Sequence, residues 1–134
     1  MITVEATVNA SIDTVWKSYT TPSDIMKWNT ASDDWHTTTS ENDLTAGGKF
    51  SSRMEAKDGS FGFDFWGVYT NIKTNELIEY EMGDGRTCSV VFTNNGSAVH
   101  VSVTFEAETE NTIELQKGGW QAILNNFKIY TESL

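Results

Sequence analysis

The chain has 134 residues and a formal net charge of −10, from nineteen acidic and nine basic side chains. That length suits one domain with its own core, 1–134, and so acidic a surface repels phosphate, which argues against nucleic acid and anionic membranes as partners. The single cysteine, Cys88, excludes an internal disulfide and points to a reducing compartment.

The first residues, Met1 to Glu5, lack a basic stretch followed by an apolar run, so no signal peptide is expected. No segment is long and apolar enough to span a bilayer. A cytoplasmic protein without membrane insertion is the resulting expectation.

Ile2, Val4, Ala6 and Val8 alternate with polar residues, the period of a half-buried strand. Ser11 suits an N-cap, and Ile12, Val15, Trp16 and Tyr19 follow at helical spacing. Thr21 and Pro22 suit the cap and first position of a second short helix, with Ile25, Met26 and Trp28 on its apolar side. Residues 29–34 read as a polar loop and 35–40 as a strand. Gly47 and Gly48 end a turn. In the next strand Phe50, Ser52, Met54 and Ala56 share one face. Asp58-Gly59 then signals a hairpin.

Residues 61–73 form the longest predicted strand. Adjacent Phe65 and Trp66 blur its alternation, and Gly67 is the expected place for a bulge that changes the inward face. Ile78, Tyr80 and Met82 share a face of the next strand. A hairpin with an Asn95-Gly96 turn follows, and Val99, Val101, Val103 and Phe105 give the cleanest period of two in the chain. Asn111 or Thr112 caps a final helix reaching about Glu132. Its stripe is Trp120, Ile123, Leu124 and Phe127, continued to Leu134. A long amphipathic helix after a meander of strands lays that stripe on the sheet. The fold class is α+β.

Several words in this order resemble the START-like helix-grip superfamily, also called SRPBCC. They are Ala10-Ser11-Ile12-Asp13-Thr14-Val15-Trp16, then Trp28, Gly47-Gly48-Lys49-Phe50, Gly67-Val68-Tyr69 and Gly119-Trp120-Gln121. Within it, the chain looks most similar to the branch containing the C-terminal domain of the activator of the heat-shock chaperone ATPase. The resemblance covers essentially the whole chain. It implies a curved sheet of six or seven strands gripping the last helix, with a cavity between them. It also implies either a lipid-like or other hydrophobic ligand, or a co-chaperone role; some members are enzymes. The polar, acidic loop from Asn29 to Asp34 departs from the branch's Trp-rich or Pro-containing pattern.

The residues capable of chemistry are few. His36 and His100 are the only histidines; parity puts His100 on a solvent face. No Cys/His spacing matches zinc and no Asp-rich loop matches calcium, so neither metal nor cofactor is expected. Cys88 shares parity with Val90 and Phe92, as a packed core thiol would. Asp64 stands among four aromatics and is the best acid for an enzyme reading, if it faces inward. Arg53 and Arg86 are the only arginines. Either can pair with an acidic ligand group, although parity turns Arg53 outward.

A solid core and a lined cavity both account for the aromatic set. Two features favour the cavity. Gly118 and Gly119 stand in a helix, where each costs about 1 kcal/mol relative to alanine, as a kink or close approach at a cavity mouth would require. Ser52, Tyr69, Tyr80 and Gln116 place polar tips among apolar positions, as orienting groups do. The expected ligand-binding set is therefore Trp28 from the second helix and Phe50, Ser52, Met54, Phe63, Tyr69, Tyr80, Met82, Phe92 and Val103 from the strands. The last helix adds Gln116, Trp120, Ile123, Leu124 and Phe127. The leading function is non-catalytic binding of a small hydrophobic or amphipathic molecule. The alternatives are a co-chaperone-like protein-interaction module and a cyclase- or hydrolase-type enzyme using Asp64 or a pocket tyrosine.

Overall fold

The computed structural model describes all residues from Met1 to Leu134. Strand β1 (Ile2–Val8) leads into helices α1 (Ile12–Thr20) and α2 (Pro22–Trp28). Six strands follow: β2 (Trp35–Asn42), β3 (Lys49–Ala56), β4 (Gly62–Lys73), β5 (Leu77–Met82), β6 (Thr87–Asn94) and β7 (Val99–Phe105). Helix α3 (Ile113–Glu132) ends the order. All seven strands form one curved antiparallel sheet, ordered β1-β7-β6-β5-β4-β3-β2. Short hairpins make neighbours of consecutive strands, and β1 pairs with β7 to complete the sheet. The result is the helix-grip arrangement.

Local sequence explains most boundaries. The Ser11 and Thr112 hydroxyls accept hydrogen bonds from the backbone N–H of Thr14 and Leu115, capping α1 and α3. Pro22 opens α2, where its missing N–H is no loss. Gly59 and Gly96 take the positive φ that their turns need. At Gly48 a side chain is impossible, since a Cβ there would lie 2.2 Å from the Asp43 carbonyl oxygen.

Two irregularities decide which side chains face inward. In β4 the alternation is intact through Gly67: Phe63, Phe65, Gly67 and Tyr69 take one face, Asp64 and Trp66 the other. The expected bulge is not at Gly67. The register shifts at Thr70, between Tyr69 and Asn71, and brings Ile72 back to the core. Glycine at 67 serves close packing instead, because a Cβ there would lie 2.6 Å from the Glu81 carbonyl and 2.8 Å from the Phe50 ring. Trp66 lies outside, with the Lys49 ammonium 4.7 Å from its ring centre. A second shift, between Thr37 and Thr39 of β2, puts Ser40 opposite Ser52 and Asn42 opposite Phe50.

Helix α3 is tied to the sheet edge as well as to its face. The Gln121 amide accepts from the Glu5 N–H and donates to the Glu5 carbonyl, at 3.4 and 3.0 Å. Lys128 donates to the Thr7 carbonyl at 2.7 Å, and Glu132 accepts from the Asn9 N–H at 2.8 Å. Beneath α3, Phe127 is fully buried and meets Tyr19 and Trp28 edge-to-face. Phe92 packs against Trp16 and Tyr19 in the same way. Leu134 does not extend the stripe: it lies beyond the helix and is exposed. A Cβ on Gly118 or Gly119 would meet nothing within 4 Å, so neither glycine marks a close backbone approach.

Candidate functional site

The layer between sheet and α3 contains a cavity of about 310 Å³, and fifteen of its eighteen lining residues are hydrophobic. This volume is at the lower end of the range of small-molecule sites. Phe50, Ser52 and Met54 of β3, Phe63, Phe65 and Tyr69 of β4, and Ile78 and Tyr80 of β5 form its floor. Val4 and Val103 close the floor on the β1–β7 side. Tyr19, Ile25, Trp28 and Asn29 come from α1 and α2, and Trp120, Ile123 and Leu124 form the roof. Arg86, in the turn before β6, completes the lining.

The roof is held by aromatic packing. Trp120 stacks on Phe105 with ring centres 3.8 Å apart and meets Phe65 edge-on at 6.2 Å. Pinned in this way, its ring walls the cavity rather than filling it. A shallower groove adjoins the cavity and shares Met54, Phe63, Trp120 and Ile123 with it. Trp35, Leu115 and Gly119 line this groove on the outer side. Phe61 and Phe63, both exposed, pack against Trp35 there. Gly119 lines the groove, and a side chain there would project into open space.

Few polar groups reach the cavity. The Tyr69 hydroxyl donates to Asn42 Oδ1 at 2.6 Å, and Ser52 Oγ lies 3.2 Å from Ser40 Oγ. Burial pushes the hydroxyls of Tyr19, Tyr69 and Tyr80 well above a tyrosine's ordinary pKa, and the Cys88 thiol is pushed up to about 12 by the same cause. All four groups are neutral at physiological pH. The tyrosines can orient a ligand through hydrogen bonds, whereas Cys88 lies outside the lining; none of the four is poised for proton transfer near neutrality. Arg86 is the one charged residue in the lining. Its Nε donates to Asp84 Oδ2 at 2.7 Å and its Nη1 to the Glu106 carbonyl at 3.0 Å.

Eleven residues expected from the sequence line the cavity: Trp28, Phe50, Ser52, Met54, Phe63, Tyr69, Tyr80, Val103, Trp120, Ile123 and Leu124. Four lie elsewhere. Met82, Phe92 and Phe127 are buried in the packed core outside the lining. Gln116 borders the outer groove, but its amide is committed to the loop before α3: Oε1 accepts from the Glu108 N–H, and Nε2 donates to the Glu108 and Asn111 carbonyls. The other seven lining residues, Val4, Tyr19, Ile25, Asn29, Phe65, Ile78 and Arg86, lie outside the expected set, although Arg86 is one of the two arginines that the sequence offers to an acidic ligand group. For Phe65 the signal was present, since it shares parity with Phe63 and Tyr69.

The remaining candidates for chemistry lie off the cavity. Asp64 is on the outer face, 3.6 Å from Arg53, with 60% of its side chain exposed, so it has no route to a ligand in the cavity. His100 is also outside, within 3.3 Å of Glu5 and 3.2 Å of Thr7, and His36 is exposed. No three His, Cys, Asp or Glu side chains converge as a metal site would need. No helix is long and apolar enough to cross a membrane.

Comparison with known proteins agrees with this architecture. Residues 9–132 match the family model described as Activator of Hsp90 ATPase homolog 1-like protein. The solution structure of an AHSA1-like protein from Aeromonas hydrophila is similar at a TM-score of 0.90 and 42% identity, covering 98% of this chain and 93% of that one. A protein from Cytophaga hutchinsonii is 55% identical at a TM-score of 0.85, covering 98% and 92%. The crystal structure of a Chromobacterium violaceum protein shares the fold at a TM-score of 0.86 and 19% identity, covering 98% and 96%. No curated protein matches. The match over residues 9–132, together with the relatives above 40% identity, shows that the chain belongs to the Activator of Hsp90 ATPase homolog 1-like family.

Proposed function

We propose that this protein is a non-catalytic binding module for a small hydrophobic or amphipathic molecule, held between the sheet and α3 in the cytoplasm. The observation that carries this reading is the 310 Å³ cavity with its predominantly apolar lining. An apolar body gains by leaving water there. Tyr19, whose hydroxyl has no hydrogen-bond partner in the protein, offers an orienting contact alongside Tyr80 and Ser52. The test is titration with 1-octanol, followed by backbone amide and side-chain NMR. Saturable shifts centred on Phe50, Tyr69, Trp120 and Ile123 are expected. Absence of any shift up to the solubility limit of the alcohol overturns the reading.

A protein-interaction role is the second reading. It is favoured by the matching family's description, which names an activator of a chaperone ATPase. The exposed rings of Phe61 and Phe63 beside Trp35 are the surface best suited to it. Purified chaperone that binds the wild type and loses affinity for Phe61→Ser would support this role. Chaperone that does not bind at protein concentrations well above physiological removes it.

A further inference from the structure

Arg86 is out of place in an otherwise apolar lining. An arginine normally carries its charge into water or into a full set of partners. Here the side chain is only 23% exposed, and its five N–H donors have two side-chain bonds between them. Nε is held by Asp84 and Nη1 by the Glu106 carbonyl, while Nη2 has no partner in the protein.

The turn fixes this geometry. Asp84 Oδ1 accepts from the Arg86 N–H at 3.2 Å while Oδ2 takes Nε, so one carboxylate grips both ends of the residue. The Met82 N–H donates to the Arg86 carbonyl at 2.7 Å, closing the turn across Gly85 at φ +91. The guanidinium is thereby anchored along one side, in a residue that lines the cavity.

We infer that the cavity binds a monocarboxylate, with its apolar body among the aromatic walls and its carboxylate on Arg86. This inference rests on the cavity reading above and adds the ligand's charge and size. Arg86 is the only cation in the lining, and the planar guanidinium matches a carboxylate edge. Asp84 and Glu106 flank it, so a second negative charge on the ligand would meet repulsion with no further cation to offset it. The net charge of −10 opposes anions at long range, but screening limits that effect beyond about 8 Å at physiological salt. At about 30 Å³ for each water-sized unit, the cavity accepts a body of roughly ten non-hydrogen atoms.

The experiment compares octanoate with 1-octanol at neutral pH, by calorimetry or NMR, with 3-phenylpropanoate as a third arm separating alkyl from aryl bodies. Octanoate is expected to bind about tenfold more tightly than the alcohol, the increment of one charge-assisted contact. In Arg86→Gln that ratio should fall to about one. In Asp84→Asn it should rise, because the carboxylate competing for the guanidinium is gone. This second variant decides the matter if Arg86→Gln folds poorly. A wild-type ratio near one, or a ratio unmoved by either variant, overturns the carboxylate inference while 1-octanol binding leaves the cavity reading standing. Failure of all three probes to bind overturns both.

Discussion

Beneath Phe127 of α3, Tyr19 and Trp28 meet that ring edge-to-face, and Phe92 packs edge-on against Trp16 and Tyr19; of these rings only Tyr19 and Trp28 also border the cavity. One to two turns earlier in α3, Trp120 and Ile123 look onto the cavity, although Phe50, Phe65, Tyr69 and Tyr80 bring large rings there too. The difference lies in how the rings are committed. At the packed end they come from both layers and interlock. At the hollow end Phe50 packs sideways against Phe65, Tyr69 and Tyr80, and Trp120 is held flat on Phe105. Rings that stack along the walls leave the middle unfilled. Abundant apolar volume therefore does not guarantee a solid core.

Substitutions at the two ends should separate them. Phe127→Ala is expected to destabilise by about 3–5 kcal/mol, as for a fully buried phenylalanine, read from urea unfolding. Ile123→Ala removes side-chain atoms already facing space and should cost about 2 kcal/mol or less. Equal losses at the two positions would mean that the cavity is closed in solution. Ile123→Trp sharpens the contrast: it should fill the hollow end, change stability by less than about 1.5 kcal/mol and abolish 1-octanol binding.

Alkaline pH probes the packed side of the sheet. Cys88 has its folded pKa raised from 9.0 to about 12 by burial. The unfolded chain therefore loses this proton first, and stability falls as pH rises through that window. Cys88→Ala should remove the part of the decline that begins near pH 9 in thermal unfolding, leaving the part above pH 10 to the buried tyrosines, and thiol reagents at pH 8 should react only as fast as the protein opens. The smallest effect is expected at Asp64, whose pair with Arg53 is solvent-exposed. Asp64→Asn should change stability by less than about 0.5 kcal/mol and leave 1-octanol affinity unaltered.

Periodicity made much of this legible. The inward faces of β3, β5 and β7 and the stripe of α3 follow from spacing alone, because each is regular and half-buried. The bulges at Thr38 and Thr70 leave no comparable mark, since they depend on how a strand pairs with its neighbour. The contributions of Tyr19, Ile25 and Asn29 were hidden for a related reason: the docking angle of two short helices is set by tertiary packing. Gln116 misled because a buried amide reads the same in sequence whether it faces a ligand or a loop carbonyl. Phe92 and Phe127 have the right face but the wrong end, and that position depends on where the gap falls along α3.

The ties between α3 and β1 have a mechanical consequence. A border strand normally leaves a row of unpaired amides and carbonyls, open to pairing with another chain. Here Gln121, Lys128 and Glu132 cover that row with side chains, so the helix serves as a hem on the sheet. Lifting its C-terminal two-thirds would strip the border of these partners together. The turns before Gln121 carry no such stitches to β1, and Gly118 and Gly119 sit at the last free point. Bending is least resisted there, beside the groove.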